Sequence, residues 1–391
     1  MDLFRSILEN SQRASLPLVA ALSFSTVIGA ALLFYLALFI VAPVPRAPLK
    51  SEKTYRSAEE HGGTSDNIEL PCWQDRAERQ WRSVRRSIEE TRSIYEIERA
   101  EVFMSLVVPA FNEEERLGLM LKEAVEYLQE AYGDSTPSAL TNSNRTKRKE
   151  VTQGSSNGHV FPEKNDARGW EVLVVSDGST DNTTETALEY AKTLNGSSVP
   201  GIRVIQLHEN RGKGGAVTHG MRHVRGQYAI FADADGASKF QDLEKLVRAC
   251  QEIEDVQSRG VAVGSRAHLV GSEAVVKRSF VRNLLMHSFH LLLRFLTPPA
   301  TAAIRDTQCG FKLFSRASLP YIIPYMHSEG WIFDVEMLML AESAGIPVVE
   351  VPIGWQEIKG SKLNVLWDSM GMAWGLAILR AAWGLGVYKR A

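Results

Sequence analysis

Two aspartates stand two residues apart in Phe231-Ala-Asp233-Ala-Asp235-Gly236, where an apolar run gives way to a loop. Carboxylates at that spacing can hold a hard divalent cation, and Mg²⁺ typically takes one or two carboxylates together with substrate phosphates. Such a cation offsets the charge of a departing diphosphate. In isolation the pair reads equally well as an acidic turn. Three more segments alter that reading: Pro109-Ala110-Phe111-Asn112-Glu113, Ser176-Asp177-Gly178-Ser179, and Glu209-Asn210-Arg211-Gly212-Lys213-Gly214-Gly215 each follow an apolar run of their own. Asp177 can accept from a base N–H, and the glycines permit close backbone approach. Arg211 and Lys213, ahead of a helix, can meet phosphate at its N-terminus. Singly, Asn112, Ser179 and Asn182 serve as helix caps and the glycines as turn residues. Capping does not explain why four such segments follow one another.

The elements that must position them alternate. Residues 102–108, 170–175, 202–207 and 228–232 predict strands, while 114–131, 182–194 and 214–225 predict helices. Short apolar strands alternating with helices imply a mostly parallel sheet covered on both faces. Ligands of such sheets gather at the carboxyl ends of the strands, and all four chemical segments fall there. A dehydrogenase is excluded because no GxGxxG follows the first strand.

The rest of the chain bounds the setting. Its 391 residues hold one large catalytic domain plus accessory segments, and a net charge of −2 argues against a nucleic-acid binder. Three cysteines without CxxC spacing build neither a zinc site nor a disulfide framework, and fit a reducing compartment. Residues 16–42 carry no charge. They exceed both the roughly 20 residues that span a bilayer and the shorter apolar region of a cleaved signal. Arg5 and Arg13 precede this anchor, whereas Arg46, Lys50, Lys53 and Arg56 follow it, so the positive-inside rule places the bulk of the chain in the cytosol.

The organisation expected is therefore an anchor segment at 1–42, a linker with an amphipathic helix at 43–101, a catalytic domain at 102–362 and a membrane-associated helix at 363–391. Within the domain, residues 133–169 are polar enough to read as a disordered insertion. They contain the glycan acceptor Asn144-Arg145-Thr146. Residues 277–297 read as an interfacial helix, with Arg278, Arg282, His290 and Arg294 on one stripe and leucines elsewhere. Trp367, Trp374 and Trp383 in the C-terminal segment suit a membrane interface.

The order of these motifs resembles the family 2 glycosyltransferases, over residues 102–360. That resemblance implies an α/β domain with the GT-A (Rossmann-like) fold. It places Pro109, Ala110, Phe111, Glu113 and Asp177 on the nucleotide. Asp233, Ala234 and Asp235 fall on the diphosphate and its Mg²⁺ or Mn²⁺, and Lys213, Arg266 and Lys362 on the nucleotide sugar. One departure is Ser176, where the family often has a first aspartate ahead of the one matched by Asp177. Further motifs run from Val263 to Arg266, Asp306 to Phe314, Gly330 to Glu336 and Trp355 to Lys362. They narrow the resemblance to members that pass glucose from UDP-glucose to dolichyl phosphate at the cytosolic face of the endoplasmic reticulum. Mannosyl-transferring relatives are the alternative, and an inactive membrane scaffold is the alternative outside enzymes. Processive synthases are disfavoured, since QxxRW is missing from the sequence.

A phosphate acceptor has a second pKa near ~6 and is already an anion at neutral pH. Asp233, Asp235 and Asp334 form the catalytic set. Asp334 occupies the place of the base in relatives with hydroxyl acceptors, and base, sugar contact and structural support all stay open for it. Arg278 and Arg282 are the candidates for the lipid phosphate.

Overall fold

A computed structural model of the chain describes residues 16–59, 63–84, 97–133, 167–194, 201–269, 288, 291–356, 358 and 365–389. The first helix, α1 (Leu16–Val41), carries Leu22, Phe24, Leu33 and Ile40 with their side chains bare. It is the one helix among the described residues long and apolar enough to cross a membrane, with a mean hydropathy of 2.4 over Val19–Val41. A uniformly apolar, unburied helix fits a membrane anchor.

After α1 come a two-stranded ribbon, β1 (Thr54–Tyr55) and β2 (Ile68–Glu69), and the helix α2 (Trp73–Val84). The catalytic-looking core then alternates β3 (Val102–Ala110), α3 (Glu114–Tyr132), β4 (Trp170–Ser176), α4 (Thr183–Thr193), β5 (Ile202–Gln206), α5 (Gly212–Met221) and β6 (Gly226–Ala232). It continues with α6 (Leu243–Ile253), β7 (Val261–Ser265), β8 (Phe311–Ser315), α7 (Phe333–Ser343), β9 (Val348–Pro352) and α8 (Val365–Gly384).

The seven long strands form one mixed sheet in the order β5-β4-β3-β6-β8-β7-β9. The first four are mutually parallel, β8 runs antiparallel between β6 and β7, and β9 is parallel to β7. Successive residues of β3 supply both faces. Leu106 and Val108 pack with Leu117 and Leu121 of α3, while Val107 joins Val217 of α5 and Phe333 of α7. The unbroken apolar run reflects this two-sided burial. In register, Ala110 pairs with Ser176, and the backbone N–H of Asp177 donates to the Ala110 carbonyl at 2.8 Å. The first two turns are thereby locked side by side.

Residues 43–59 and 63–73 correct the expectation of a linker. Glu52 is 0% exposed, the backbone of Arg56 bridges to Val204 on β5, and the buried indole N–H of Trp73 donates to the Met221 carbonyl at 2.7 Å. Their Pro, Ser and charged composition resembles that of a loose segment, but Glu52 and Arg46 are met by His208 and Glu209 of the domain. The polar residues 134–166 lie outside the described residues, as do 270–287. Of the expected interfacial helix, residues 291–296 are described and helical, with Phe295 74% exposed. Helix α8 buries Leu376, Leu379 and Ala382 against Val335 and Met339 of α7 and touches α1, while Trp367 and Trp374 stay 70% and 64% exposed.

Candidate active site

The four turns do converge at the carboxyl ends of β3, β4, β5 and β6. Asn112 adopts a φ of 54°, and its side-chain oxygen accepts the Thr180 N–H at 2.8 Å while its own N–H donates to Ser179 Oγ. Pro109 and Ala110 are buried, whereas Phe111 is partly exposed at the rim. Glu113 pairs through two hydrogen bonds with Arg116, at 2.7 and 2.6 Å.

Asp177 is nearly sealed and accepts the Arg211 backbone N–H at 2.8 Å. Burial pushes its carboxyl up to about 6, against the pull of backbone donors from Arg211 and Gly212. Ser176 is fully buried, and its hydroxyl has no hydrogen-bond partner among the described residues. Arg211 does not offer its guanidinium to solvent: Nε donates to Glu329 at 2.7 Å. The sequence suggested a phosphate contact there, but the pairing with a carboxylate 118 positions away redirects the side chain. Gly212 has φ +79°, and a Cβ on it would lie 2.6 Å from the Glu329 carbonyl, so only glycine fits between β5 and the 327–331 loop.

Lys213 reaches into the site. Its ammonium is 2.5 Å from Asp233 Oδ1 and 6.0 Å from the ring centres of Trp331 and Phe333. Burial works against its charge, but Asp233 and Asp334 outweigh it, so the amine is held above its ordinary value. The contact with Asp233 is ionic rather than an aligned hydrogen bond, leaving Oδ1 buried without a hydrogen-bond donor among the described residues. Asp233 donates its own N–H to the Gly310 carbonyl. A Cβ on Gly310 would fall 2.2 Å from the Asp233 carboxylate. Asp235 accepts the Ala237 N–H at 3.0 Å, and burial, then the neighbouring Asp233 charge, raises its carboxyl. Ala234 between them is buried.

This pair fits a divalent cation. Asp233 Oδ1 meets Lys213 without an aligned hydrogen bond, burial and then the Asp233 charge raise the Asp235 carboxyl, and a cation would stabilise both carboxylates in their ionised form. Among the described residues no cluster of three or more His, Cys, Asp or Glu forms a closed cage. Mg²⁺ shared with a diphosphate and water needs none.

Deeper in, Arg266 grips Asp306 at 2.7 and 2.8 Å and lies 5.5 Å from the Trp355 ring centre. Burial would raise Asp306, yet the guanidinium holds it below the usual carboxylate range. Asp334 is 2% exposed and takes an ion pair from Lys312, whose ammonium also donates to the Cys309 carbonyl at 2.7 Å. Burial pushes the Asp334 carboxyl up, with Lys312 and Lys213 pulling the other way. Asp334 thus has no open face for an acceptor in this arrangement. Sequence reasoning did not foresee Lys312 as the partner of Asp334, Glu329 as that of Arg211, or Gly310 as the close neighbour of Asp233; Lys312 on an apolar strand was the one available signal. Lys362, Arg278 and Arg282 lie outside the described residues.

A mixed sheet of this order, carrying DxD at the end of β6, defines a glycosyltransferase domain of GT-A fold, and the model for "Glycosyl transferase family 2" matches residues 163–318. The chain is 38% identical over 395 residues to a dolichyl-phosphate beta-glucosyltransferase of Saccharomyces cerevisiae, spanning 100% of this chain and 98% of that one. It is 39% identical to the Homo sapiens enzyme of the same name, over 73% of this chain and 77% of that one. The chain belongs to the dolichyl-phosphate beta-glucosyltransferase family. Among solved structures, glucosyl-3-phosphoglycerate synthase from Mycobacterium tuberculosis with Mn²⁺, UDP and phosphoglyceric acid is similar at a TM-score of 0.44 and 17% identity, covering 71% of this chain and 78% of that one.

Proposed function

We propose that the chain transfers glucose from UDP-glucose to dolichyl phosphate with inversion, giving dolichyl β-D-glucosyl phosphate, the lipid-linked glucose donor for N-glycan precursor assembly. The observation that carries this reading is the convergence of Asp177, Lys213, Asp233 and Asp235 at adjoining strand ends, in a chain of this family. Asp177 accepts from the uracil edge, with Pro109, Ala110, Phe111 and Glu113 walling the nucleotide. Asp233 and Asp235 would hold Mg²⁺ or Mn²⁺, which supplies positive charge to the leaving diphosphate when bound. Lys213 adds a cation beside the same carboxylates. Arg266, oriented by Asp306, faces the donor phosphates, and Lys362 joins it.

The acceptor phosphate is anionic at neutral pH, so positioning and leaving-group stabilisation suffice without a base. Asp334 then acts with Lys312 to set the field around Lys213 rather than to take a proton. Arg278 and Arg282 meet the lipid phosphate. Exposed Trp367, Trp374 and Phe295 support a face laid against the bilayer of the endoplasmic reticulum, beside the single anchor, with the catalytic domain in the cytosol. A glycan on Asn144 would overturn that orientation.

The test is transfer to dolichyl phosphate by purified full chain, supplied separately with UDP-glucose and GDP-mannose, with the divalent ion present or chelated. Product from UDP-glucose alone, lost on chelation, is expected. Product from GDP-mannose would overturn the donor, and no product from either would overturn the enzyme reading.

A further inference from the structure

The segment between the anchor and the catalytic domain contains a carboxylate that a tether has no use for. Glu52 is fully buried, and burying an unpaired charge costs several kcal/mol. Here it is met from all sides. Arg46 donates to both oxygens at 2.9 and 2.6 Å, and the backbone N–H groups of Leu49 and His208 donate at 2.8 and 2.9 Å. The Glu52 carbonyl accepts from His219 Nε2 at 2.8 Å, since a carbonyl cannot donate. Arg46 continues outward to Glu209 at 2.7 Å, and its carbonyl accepts from the Arg211 guanidinium at 3.1 Å.

The residues gripped on the catalytic side are therefore 208, 209 and 211. These form one continuous loop, and the Arg211 N–H of that loop donates to Asp177. His208 is held by the Glu52 carboxylate, and Glu209 and Arg211 by Arg46, which that carboxylate fixes in place, so loss of the charge loosens the loop at several points together.

We infer that residues 45–52 act as a strap that positions the loop 208–211, and through it Asp177, for the donor, with Glu52 and Arg46 as positioning residues. This rests on the proposed donor site at Asp177. Neither residue touches substrate; both act through the loop, so the signature is a change in donor affinity rather than in the rate of the bound complex.

The test uses the full chain in lipid nanodiscs, with UDP as the binding probe and UDP-glucose for kinetics. Glu52→Gln and Arg46→Ala should each weaken UDP binding and raise the donor KM on the order of ten-fold, about 1.4 kcal/mol, with kcat at saturating donor within about two-fold of wild type. Arg46→Lys should restore part of the affinity. Arg46 is only partly buried and carries the test if Glu52→Gln does not fold. Both variants binding UDP like the wild type, whatever their melting temperatures, would overturn the strap. Asp177→Asn run in parallel separates the two ideas. If it weakens UDP while the strap variants do not, only the strap fails; if it too binds normally, the donor site itself is misplaced.

Discussion

The two halves of the sheet solve the problem of buried charge differently. On the donor side, β5-β4-β3-β6, the carboxylates at the strand ends keep part of their capacity open. Asp177 and Asp235 take their hydrogen bonds from backbone N–H groups, and Asp233 meets Lys213 in an ion pair without an aligned hydrogen bond. On the other side, β8-β7-β9, two aspartates are each capped by a cation: Asp306 by Arg266, Asp334 by Lys312. Open carboxylates are available to a ligand, whereas capped pairs maintain a field and a shape. The lesson is that burial and charge alone do not distinguish a binding group from a supporting one; the partners do.

That contrast can be broken first at its sealed end. Lys312→Met strips the cation from a fully buried pair and should lower stability by about 3–5 kcal/mol, read as a fall in urea midpoint, with Lys312→Met/Asp334→Leu recovering much of the loss. At the open end, Asp233→Asn should fold normally and lose about 10²–10³-fold in kcat, measured by lipid-linked product formation. Gly310→Ala sharpens the comparison, because it pushes β8 against Asp233 without changing any charge. Its methyl group would displace the carboxylate, and a loss of up to about 10²-fold in kcat/KM is expected with the melting transition still cooperative.

The smallest effect concerns pH. Asp177 must be ionised to accept from a base, and burial places its carboxyl at about 6. UDP affinity should fall as pH drops through 6, by up to about ten-fold per pH unit, beyond whatever Asp177→Asn shows from the titration of UDP itself. The folded value lies above the unfolded one. Its contribution to stability is therefore complete below the unfolded carboxyl value and lost as pH rises through 6. Asp177→Asn should accordingly make the nucleotide-free protein more stable at neutral pH, readable by calorimetry.

The donor half was legible because its chemistry is local. Each motif is contiguous, sits at the end of an apolar strand, and needs no partner from elsewhere to be noticed. The boundaries moved little: the strand expected at 102–108 runs to Ala110, and the helix expected at 214–225 is shorter, Gly212–Met221. The supports behind those motifs depend on pairs joined by folding. Gly310 meets Asp233 only once β8 lies antiparallel to β6, Glu329 reaches Arg211 across 118 positions, and Glu52 meets His208 across 156. No spacing rule in the sequence announces such contacts. The linker expectation failed for the same reason, since composition records polarity but not whether a partner satisfies it.

The backbone pairing between Arg56 and Val204 has a practical side. β5 is the outermost strand of the sheet, and an outermost strand left bare is a template for another chain to pair with. The stalk that follows the anchor covers that rim, and Trp73 plugs the space behind it. A water-soluble form of this protein can therefore be sought by cutting ahead of Pro43. Cutting between Arg56 and Trp73 would remove the apolar helix and the pairing to Val204 in the same stroke, exposing a sticky rim along which the molecules would aggregate.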